Sequence, residues 1–275
     1  MPNMKNTSRL IHFGFALFLI GTSACTSGQS DNLYEGNKSA IMGGEKLTGE
    51  EPVAKYVVLL FNRKTKEICT ASILNNQFAL TAAHCVENSD ISDMSIIFDT
   101  VQRPNSPSRR LVDFKESDYY DQNRDNILNT GDLAVIRFAG GVPKGFRAVK
   151  FLSNAKLLTN NTMVTAVGYG MIDDQLPQGI GTLRSATLPI LNSRFSPTEI
   201  TLNQRARIGV CHGDSGGPVF LQVDGQYYLW GVTSRSTNEK NCSEAAIITN
   251  ALMYTGWIYE TNVEMARQKI TVPQD

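Results

Sequence analysis

The sequence predicts an all-β protein, because short apolar runs bounded by turn residues recur along the 275-residue chain. Most runs are only four to eight residues long, and many are rich in valine, isoleucine or aromatic residues. This pattern is typical of β-sandwiches and β-barrels, whereas helices and βαβ units need longer amphipathic segments. The runs are 56–61, 71–74, 78–83, 95–98, 133–138, 163–169, 219–223 and 227–232.

One segment near the end of the chain departs from this pattern. Residues 251–270 carry apolar side chains at helical spacing, among them Trp257, Ile258, Val263 and Met265. This periodicity predicts a C-terminal helix.

The N-terminal residues 1–25 have the features of an export signal. Lys5 and Arg9 form a basic start, residues 10–20 are almost uninterrupted apolar sequence, and small residues follow at 21–25. The apolar run is too short for a permanent membrane-spanning helix. Residues 26–40 are rich in serine, glycine, asparagine and charge, which predicts a flexible spacer or pro-segment.

The five cysteines point to an oxidising compartment. Cys69, Cys85, Cys211 and Cys242 are able to form two disulfides, with three pairings open by count alone. The fifth, Cys25, lies at the end of the predicted signal in a context that resembles the cleavage box of bacterial lipoproteins. We therefore expect lipid attachment at Cys25 and localisation to a bacterial periplasm or cell envelope. Ordinary signal cleavage and secretion is the alternative.

The charge of the chain is balanced, with 26 Lys+Arg and 26 Asp+Glu. This balance gives no basic patch for nucleic acid, so we expect no nucleic-acid partner. Glu87, Asp90 and Asp93 do not fit the spacing of a calcium loop, and a solvated acidic turn explains them better. We expect no metal and no cofactor.

The stretch 210–220 carries the strongest chemical signal. Ser215 is flanked by Gly213 on one side and by Gly216, Gly217 and Pro218 on the other. Glycines permit a tight bend that exposes a hydroxyl and directs several backbone N–H groups into one small space. Acyl transfer needs this combination of a nucleophile and a preformed oxyanion hole. The alternative is a glycine-rich turn in which Ser215 only aids solubility.

A serine nucleophile needs a neighbouring base, and the chain offers three histidines. His12 is lost with the signal. His212 lies three positions before Ser215 and beside Cys211, where a disulfide would turn it away from the hydroxyl. His84 therefore remains as the expected general base.

Residues 81–85, Thr-Ala-Ala-His-Cys, and the Ser215 stretch together resemble the two catalytic motifs of the chymotrypsin/trypsin family of serine proteases. Asp132, which leads the apolar run 133–138, resembles the third motif, the carboxylate that orients the histidine. Asp121 and Asp125 lie nearby in polar sequence with no strand behind them. The order His84, Asp132, Ser215 is the one found in this family.

The resemblance covers residues 41–260 and implies two six-stranded β-barrels with the active site in the cleft between them. We expect the first barrel over 41–145, and the second barrel with the C-terminal helix over 146–275. The Pro/Gly-rich segment 139–145 is the expected crossing.

The resemblance also assigns roles around the triad. It places the oxyanion hole at the N–H groups of Gly213 and Ser215. It implies that cleavage after Ala40 frees the amine of Ile41 to pair with Asp214. The implied disulfides are Cys69–Cys85 and Cys211–Cys242.

The substrate pocket implied by the resemblance carries no charge. Gly209 takes the base position where trypsin-type members have an aspartate, and Ser236 and Ala246 form the walls. We expect apolar substrate side chains there and rejection of lysine and arginine. Arg235 replaces an aromatic residue on the strand that lines the substrate, so a preference for acidic residues is the alternative.

The sequence thus predicts an exported, monomeric serine endopeptidase that cleaves polypeptides through a Ser-His-Asp triad and an acyl-enzyme intermediate. The alternatives are a catalytically silent, protease-like binding protein of the cell envelope and an envelope-anchored structural lipoprotein.

Overall fold

The computed structural model describes residues 41–120, 128–173, 178–238 and 241–268. They belong to a unit that spans Asn37–Asp275. The predicted export signal, the spacer and Cys25 lie outside the described residues, as do Asp121 and Asp125. Within the described ranges, no helix is both long and apolar enough to cross a membrane.

The first half of the described chain forms a closed antiparallel barrel of six strands. A short strand, β1 (Glu45–Lys46), precedes it. In the barrel, the hydrogen-bonded order is β2-β3-β4-β7-β6-β5. The strands are β2 (Val57–Asn62), β3 (Ile68–Ile73), β4 (Phe78–Thr81), β5 (Met94–Ile97), β6 (Ser108–Glu116) and β7 (Ala134–Phe138).

The second half forms another ring of six antiparallel strands, ordered β8-β9-β10-β13-β12-β11 and closed by pairing of β11 with β8. β1 adds to the outside of this ring through β9. The strands are β8 (Met163–Gly168), β9 (Arg184–Asn192), β10 (Glu199–Asn203), β11 (Pro218–Val223), β12 (Gln226–Ser236) and β13 (Ala245–Asn250). The predicted all-β class with two six-stranded barrels is confirmed.

The apolar runs are continuous rather than alternating because their strands are buried on both faces. In β2, Val58 and Leu60 belong to the apolar cluster inside the first barrel. Val57 and Leu59 point the other way, into a cluster that also contains Phe220 of the second barrel. This shared cluster holds the two barrels together and thereby fixes the cleft between them.

The chain passes from the first barrel to the second between Val149 and Phe151. The N–H of Val149 donates to Ile73 of β3, while Phe151 pairs with Leu229 of β12. The predicted crossing segment, 139–145, lies just before this point.

The C-terminal helix α1 (Thr255–Arg267) follows a 3-10 turn, Ala251–Tyr254. Its buried face includes Ile258 and Met265, in agreement with the predicted helical spacing. Arg137 of β7 donates hydrogen bonds to the carbonyls of Met265 and Gln268. Since the last carbonyls of a helix have no partner within it, Arg137 fastens the end of α1 to the first barrel.

Candidate active site

His84 is presented by a short 3-10 turn, Ala83–Cys85, directly after β4. The Cys69–Cys85 disulfide joins this turn to β3, with an S–S distance of 1.97 Å. The side chain of His84 keeps 26% of its surface exposed, so a substrate has access to the imidazole. The segment around it is rigidly held while the ring itself remains open to the cleft.

Asp132 lies two residues before the start of β7 and accepts two hydrogen bonds from His84. Its carboxylate is 2.8 Å from Nδ1 of the imidazole and accepts a second hydrogen bond, of 3.1 Å, from the His84 backbone N–H. A carboxylate at Nδ1 favours the tautomer that carries its proton there, which leaves Nε2 as an acceptor.

Ser234, at the end of β12, donates a third hydrogen bond to Asp132, with 2.6 Å between the two oxygens. Burial alone would raise the pKa of Asp132. The charge and hydrogen bonds of His84 and the Ser234 hydroxyl outweigh burial and lower the pKa to about 2. Asp132 is therefore ionised at neutral pH. Sequence reasoning missed Ser234, since nothing in the local pattern distinguishes it from other strand serines.

The loop that carries Ser215 touches the segment that carries His84. The carbonyl of Ser215 accepts a hydrogen bond of 2.8 Å from the N–H of Thr70. A Cβ added to Gly216 would lie only 2.9 Å from the backbone nitrogen of Ala82, two residues before His84. Such a close approach of two backbones is compatible only with glycine at position 216.

The backbone of the Ser215 loop also supplies unused donors. Gly213 has a φ of +94°, a conformation that side chains disfavour. Within the described part of the chain, the N–H groups of Gly213 and Ser215 donate to no other residue. Two such N–H groups, one on either side of Asp214 in the loop that carries the serine hydroxyl, match the requirement for stabilising an oxyanion.

Asp214 is completely buried behind this loop. Its carboxylate accepts hydrogen bonds from the N–H groups of Cys211, at 2.9 Å, and Gly170, at 2.8 Å. Burial raises its pKa to about 7, although those two bonds and the charge of Arg184 act in the opposite direction. The side chain of Ile41 is also completely buried, in the apolar core of the second barrel.

The residues assigned to the substrate pocket lie on adjoining segments. Ser236 of β12 pairs with Ala246 of β13, and the Cys211–Cys242 disulfide connects the Ser215 loop to the chain just before β13. Both disulfides have the pairing that the resemblance implies. Gly209 is buried, and its missing side chain faces the carboxamide of Gln204, which sequence reasoning did not identify.

A family model described as Trypsin matches residues 41–258, most of the chain. The chain belongs to the trypsin family. Chymotrypsin-like elastase family member 1 from Rattus norvegicus is 24% identical over 88% of this chain and 96% of that protein. Its counterpart from Bos taurus is 25% identical over 87% and 96%, respectively.

Protein masquerade from Drosophila melanogaster is 23% identical over 84% of this chain, but the chain spans only 24% of masquerade. All three relatives are animal proteins, so they lend no support to the predicted bacterial origin or lipoprotein. Membership of the trypsin family supports a peptidase that acts on polypeptides. The two disulfides suit an exported protein.

Arg235, where the family resemblance calls for an aromatic residue, forms a bidentate ion pair with Glu199. The guanidinium nitrogens lie 2.8 and 3.1 Å from the two carboxylate oxygens. Glu199 is fully buried, and it also accepts hydrogen bonds from the N–H groups of Asn129 and Thr130. The pair thus connects β10 and β12 to the loop that leads into Asp132.

Two of the acidic residues considered as calcium ligands, Asp90 and Glu87, already have protein partners. Asp90 accepts a hydrogen bond from the N–H of Ser92 and so caps a 3-10 turn, while Glu87 accepts one from the hydroxyl of Tyr120. In the described ranges, the clusters of possible metal ligands each combine a histidine with two disulfide-bonded cysteines. Disulfide sulfur cannot serve as a thiolate ligand, so neither cluster resembles a zinc site.

Proposed function

We propose that this chain is an exported serine endopeptidase in which Ser215 is the nucleophile, His84 the general base and Asp132 the residue that orients the base. The observation that carries the proposal is the buried carboxylate of Asp132 at Nδ1 of a partly exposed histidine. An ionised carboxylate there stabilises the imidazolium that forms when His84 accepts a proton.

In this mechanism, Nε2 of His84 takes the proton of the Ser215 hydroxyl as the oxygen attacks the scissile carbonyl. The N–H groups of Gly213 and Ser215 bind the developing oxyanion, a contribution of about 10²–10³ in kcat for one such donor. His84 then returns the proton to the leaving amine, and an acyl-enzyme remains on Ser215. Water, activated by the same histidine, hydrolyses this ester in the second half of the reaction.

We also propose that the pocket formed by Gly209, Ser236 and Ala246 accepts apolar side chains. A lysine or arginine would lose its hydration there without gaining a counter-charge. The bidentate contact of Arg235 with Glu199 supports this preference over the acidic alternative, because a guanidinium already neutralised by a buried carboxylate attracts an acidic substrate weakly.

Activation requires cleavage after Ala40 in this proposal. The new amine of Ile41 would pair with Asp214, whose raised pKa reflects a buried carboxylate that lacks a nearby compensating ion pair among the described residues. A cation at this position would keep Asp214 ionised and so order the Ser215 loop.

For localisation, we retain the prediction of lipid attachment at Cys25, which would tether the precursor and be removed by activation. The expected outcome is incorporation of labelled palmitate into the precursor and its loss in Cys25→Ala. A precursor that takes up no label excludes the anchor and leaves the proposed peptidase untouched.

The proposed activity is tested by the hydrolysis of casein and of short chromogenic peptides. Ser215→Ala and His84→Ala should each lose several orders of magnitude in kcat while both remain folded. Ser215→Ala should unfold at the same urea concentration as wild type, and His84→Ala at a lower one because Asp132 loses a hydrogen-bond partner. A residual rate of about 10³–10⁴ over water is expected from the remaining binding groups. Ser153→Ala, at an exposed position outside the site, is the matched control and should keep full activity. Near wild-type turnover in either triad variant contradicts the assignment, and an inert but folded wild type points to the binding-protein alternative.

A further inference from the structure

The base of the substrate pocket contains a side chain that comes from outside the motifs. Gln204 directly follows β10, and it is fully buried. Its Oε1 accepts a hydrogen bond of 2.5 Å from the N–H of Val210. Its Nε2 donates one of 2.7 Å to the carbonyl of Cys242.

These two hydrogen bonds reach both of the segments that are assigned to the pocket. Val210 follows Gly209 on the segment that leads to the nucleophile, whereas Cys242 lies on the segment between the two wall residues, Ser236 and Ala246. The carboxamide of Gln204 therefore connects the two segments, which the Cys211–Cys242 disulfide also joins.

Gly209 leaves the space that the carboxamide of Gln204 occupies. A Cβ on Gly209 would lie 2.2 Å from Oε1 of Gln204 and 2.4 Å from its Cδ, far inside van der Waals contact. The carboxamide thus fills the space into which a side chain at position 209 would project. The absence of a side chain at position 209 does not leave a deep, empty pocket.

The burial of the residues assigned to the pocket agrees with a shallow pocket. Val210 is 5% exposed and Ala246 is completely buried, while Ser236 is partly exposed. Solvent therefore reaches the Ser236 side of the pocket and not the end closed by Gln204.

We propose that Gln204 forms the floor of a shallow substrate pocket and restricts the residue before the scissile bond to small aliphatic side chains such as alanine and valine. This inference rests on the proposed function and specifies its substrate class. A larger side chain would have to displace the carboxamide and break both of its hydrogen bonds. A charged side chain would meet an uncharged floor, because the oxygen and the nitrogen of the carboxamide both already have hydrogen-bond partners.

The test is kcat/KM for a series of peptide substrates that differ only in the residue before the scissile bond, namely alanine, valine, leucine or phenylalanine. The full-length protein is used, processed before Ile41 where activity requires it. Wild type should prefer alanine and valine over phenylalanine by about tenfold or more. Gln204→Ala should raise the phenylalanine-to-alanine ratio by about 10–100-fold, because the pocket gains depth.

Gln204→Met is the matched control for volume. It keeps the length of the side chain and removes both hydrogen bonds, so it should retain the wild-type preference. Gln204→Asn keeps the carboxamide and shortens the side chain by one carbon. It should improve the leucine-to-alanine ratio, and it provides a second test should Gln204→Ala fail to fold.

A wild type that prefers phenylalanine overturns the inference without needing any variant. The inference is also overturned if Gln204→Ala folds and keeps the wild-type phenylalanine-to-alanine ratio. It is overturned as well if Gln204→Met changes that ratio as much as Gln204→Ala does. Labelling of Ser215 by a fluorophosphonate separates these results from failure of the proposed function. A labelled enzyme with a phenylalanine-dominated profile refutes only the floor, whereas an unlabelled protein that cleaves no substrate refutes the peptidase itself.

Discussion

Replacing Gly216 by alanine should separate Ser215 from His84 and weaken the fold. Gly216 has a φ of +77°. A Cβ there would lie 2.0 Å from Oγ1 of Thr81, 2.4 Å from the carbonyl oxygen of Thr70 and 2.9 Å from the nitrogen of Ala82. Two of these three atoms belong to the backbone and cannot rotate away.

The expected cost has two parts. An alanine in the left-handed region costs about 1–2 kcal/mol. Forcing a methyl group into a closely packed contact adds about 1–3 kcal/mol. Gly216→Ala should therefore lower the free energy of unfolding by about 2–5 kcal/mol. The loop can relieve the overlap only by moving away from the segment that carries His84.

Gly225 provides a matched control. It has a φ of +76° in the turn between β11 and β12, and an added Cβ would meet no heavy atom within 4 Å. Gly225→Ala should incur only the conformational cost of about 1–2 kcal/mol. The difference between the two variants isolates the steric contact at Gly216.

The assay combines urea unfolding with the rate at which a fluorophosphonate labels Ser215. Gly216→Ala should react at least tenfold more slowly than wild type, because small displacements of reacting groups reduce rates steeply. Gly225→Ala should react at the wild-type rate. The reasoning is refuted if Gly216→Ala matches Gly225→Ala in both stability and labelling.

Three further predictions concern buried polar groups. Glu199→Gln removes the carboxylate that pairs with Arg235, so the free energy of unfolding should fall by about 1–3 kcal/mol. An unchanged urea unfolding curve contradicts this. Ser234→Ala removes a donor to Asp132 and raises its pKa towards the unfolded value. Less stability should therefore be lost between about pH 4 and about pH 2 than in wild type, and an identical loss contradicts the role of Ser234. The third prediction concerns Asp214 in the uncleaved chain. Because its pKa is raised, the native protein keeps a proton on Asp214 that the unfolded chain releases. The free energy of unfolding should therefore decrease from about pH 4 to about pH 7. Asp214→Asn should flatten that slope, and a slope that persists unchanged assigns it to other groups.

The fold and the centre of the site follow largely from sequence because their signals are local. A continuous run such as 56–61 indicates a strand buried on both faces. The motifs around His84 and Ser215 combine a reactive side chain with the glycines or cysteines that constrain its loop. The helix at 255–267 is visible from apolar spacing alone.

The contacts that sequence reasoning missed join residues that are distant along the chain or carry no motif. Ser234 and Asp132 are 102 positions apart, and Glu199 and Arg235 are 36 apart. The barrel topology brings each pair together, and no local pattern encodes it. Gln204 lies only six residues before Val210, yet its role depends on how β10 ends against the pocket.

The central claim is that Ser215 is a nucleophile activated by His84. The most direct measurement is the reaction of the processed protein with a fluorophosphonate, followed by peptide mass spectrometry to locate the modified residue. The account predicts a single adduct, on Ser215, that forms rapidly in wild type and at least a hundredfold more slowly in His84→Ala. An adduct on another serine, or equal labelling of Ser215 without His84, would contradict it.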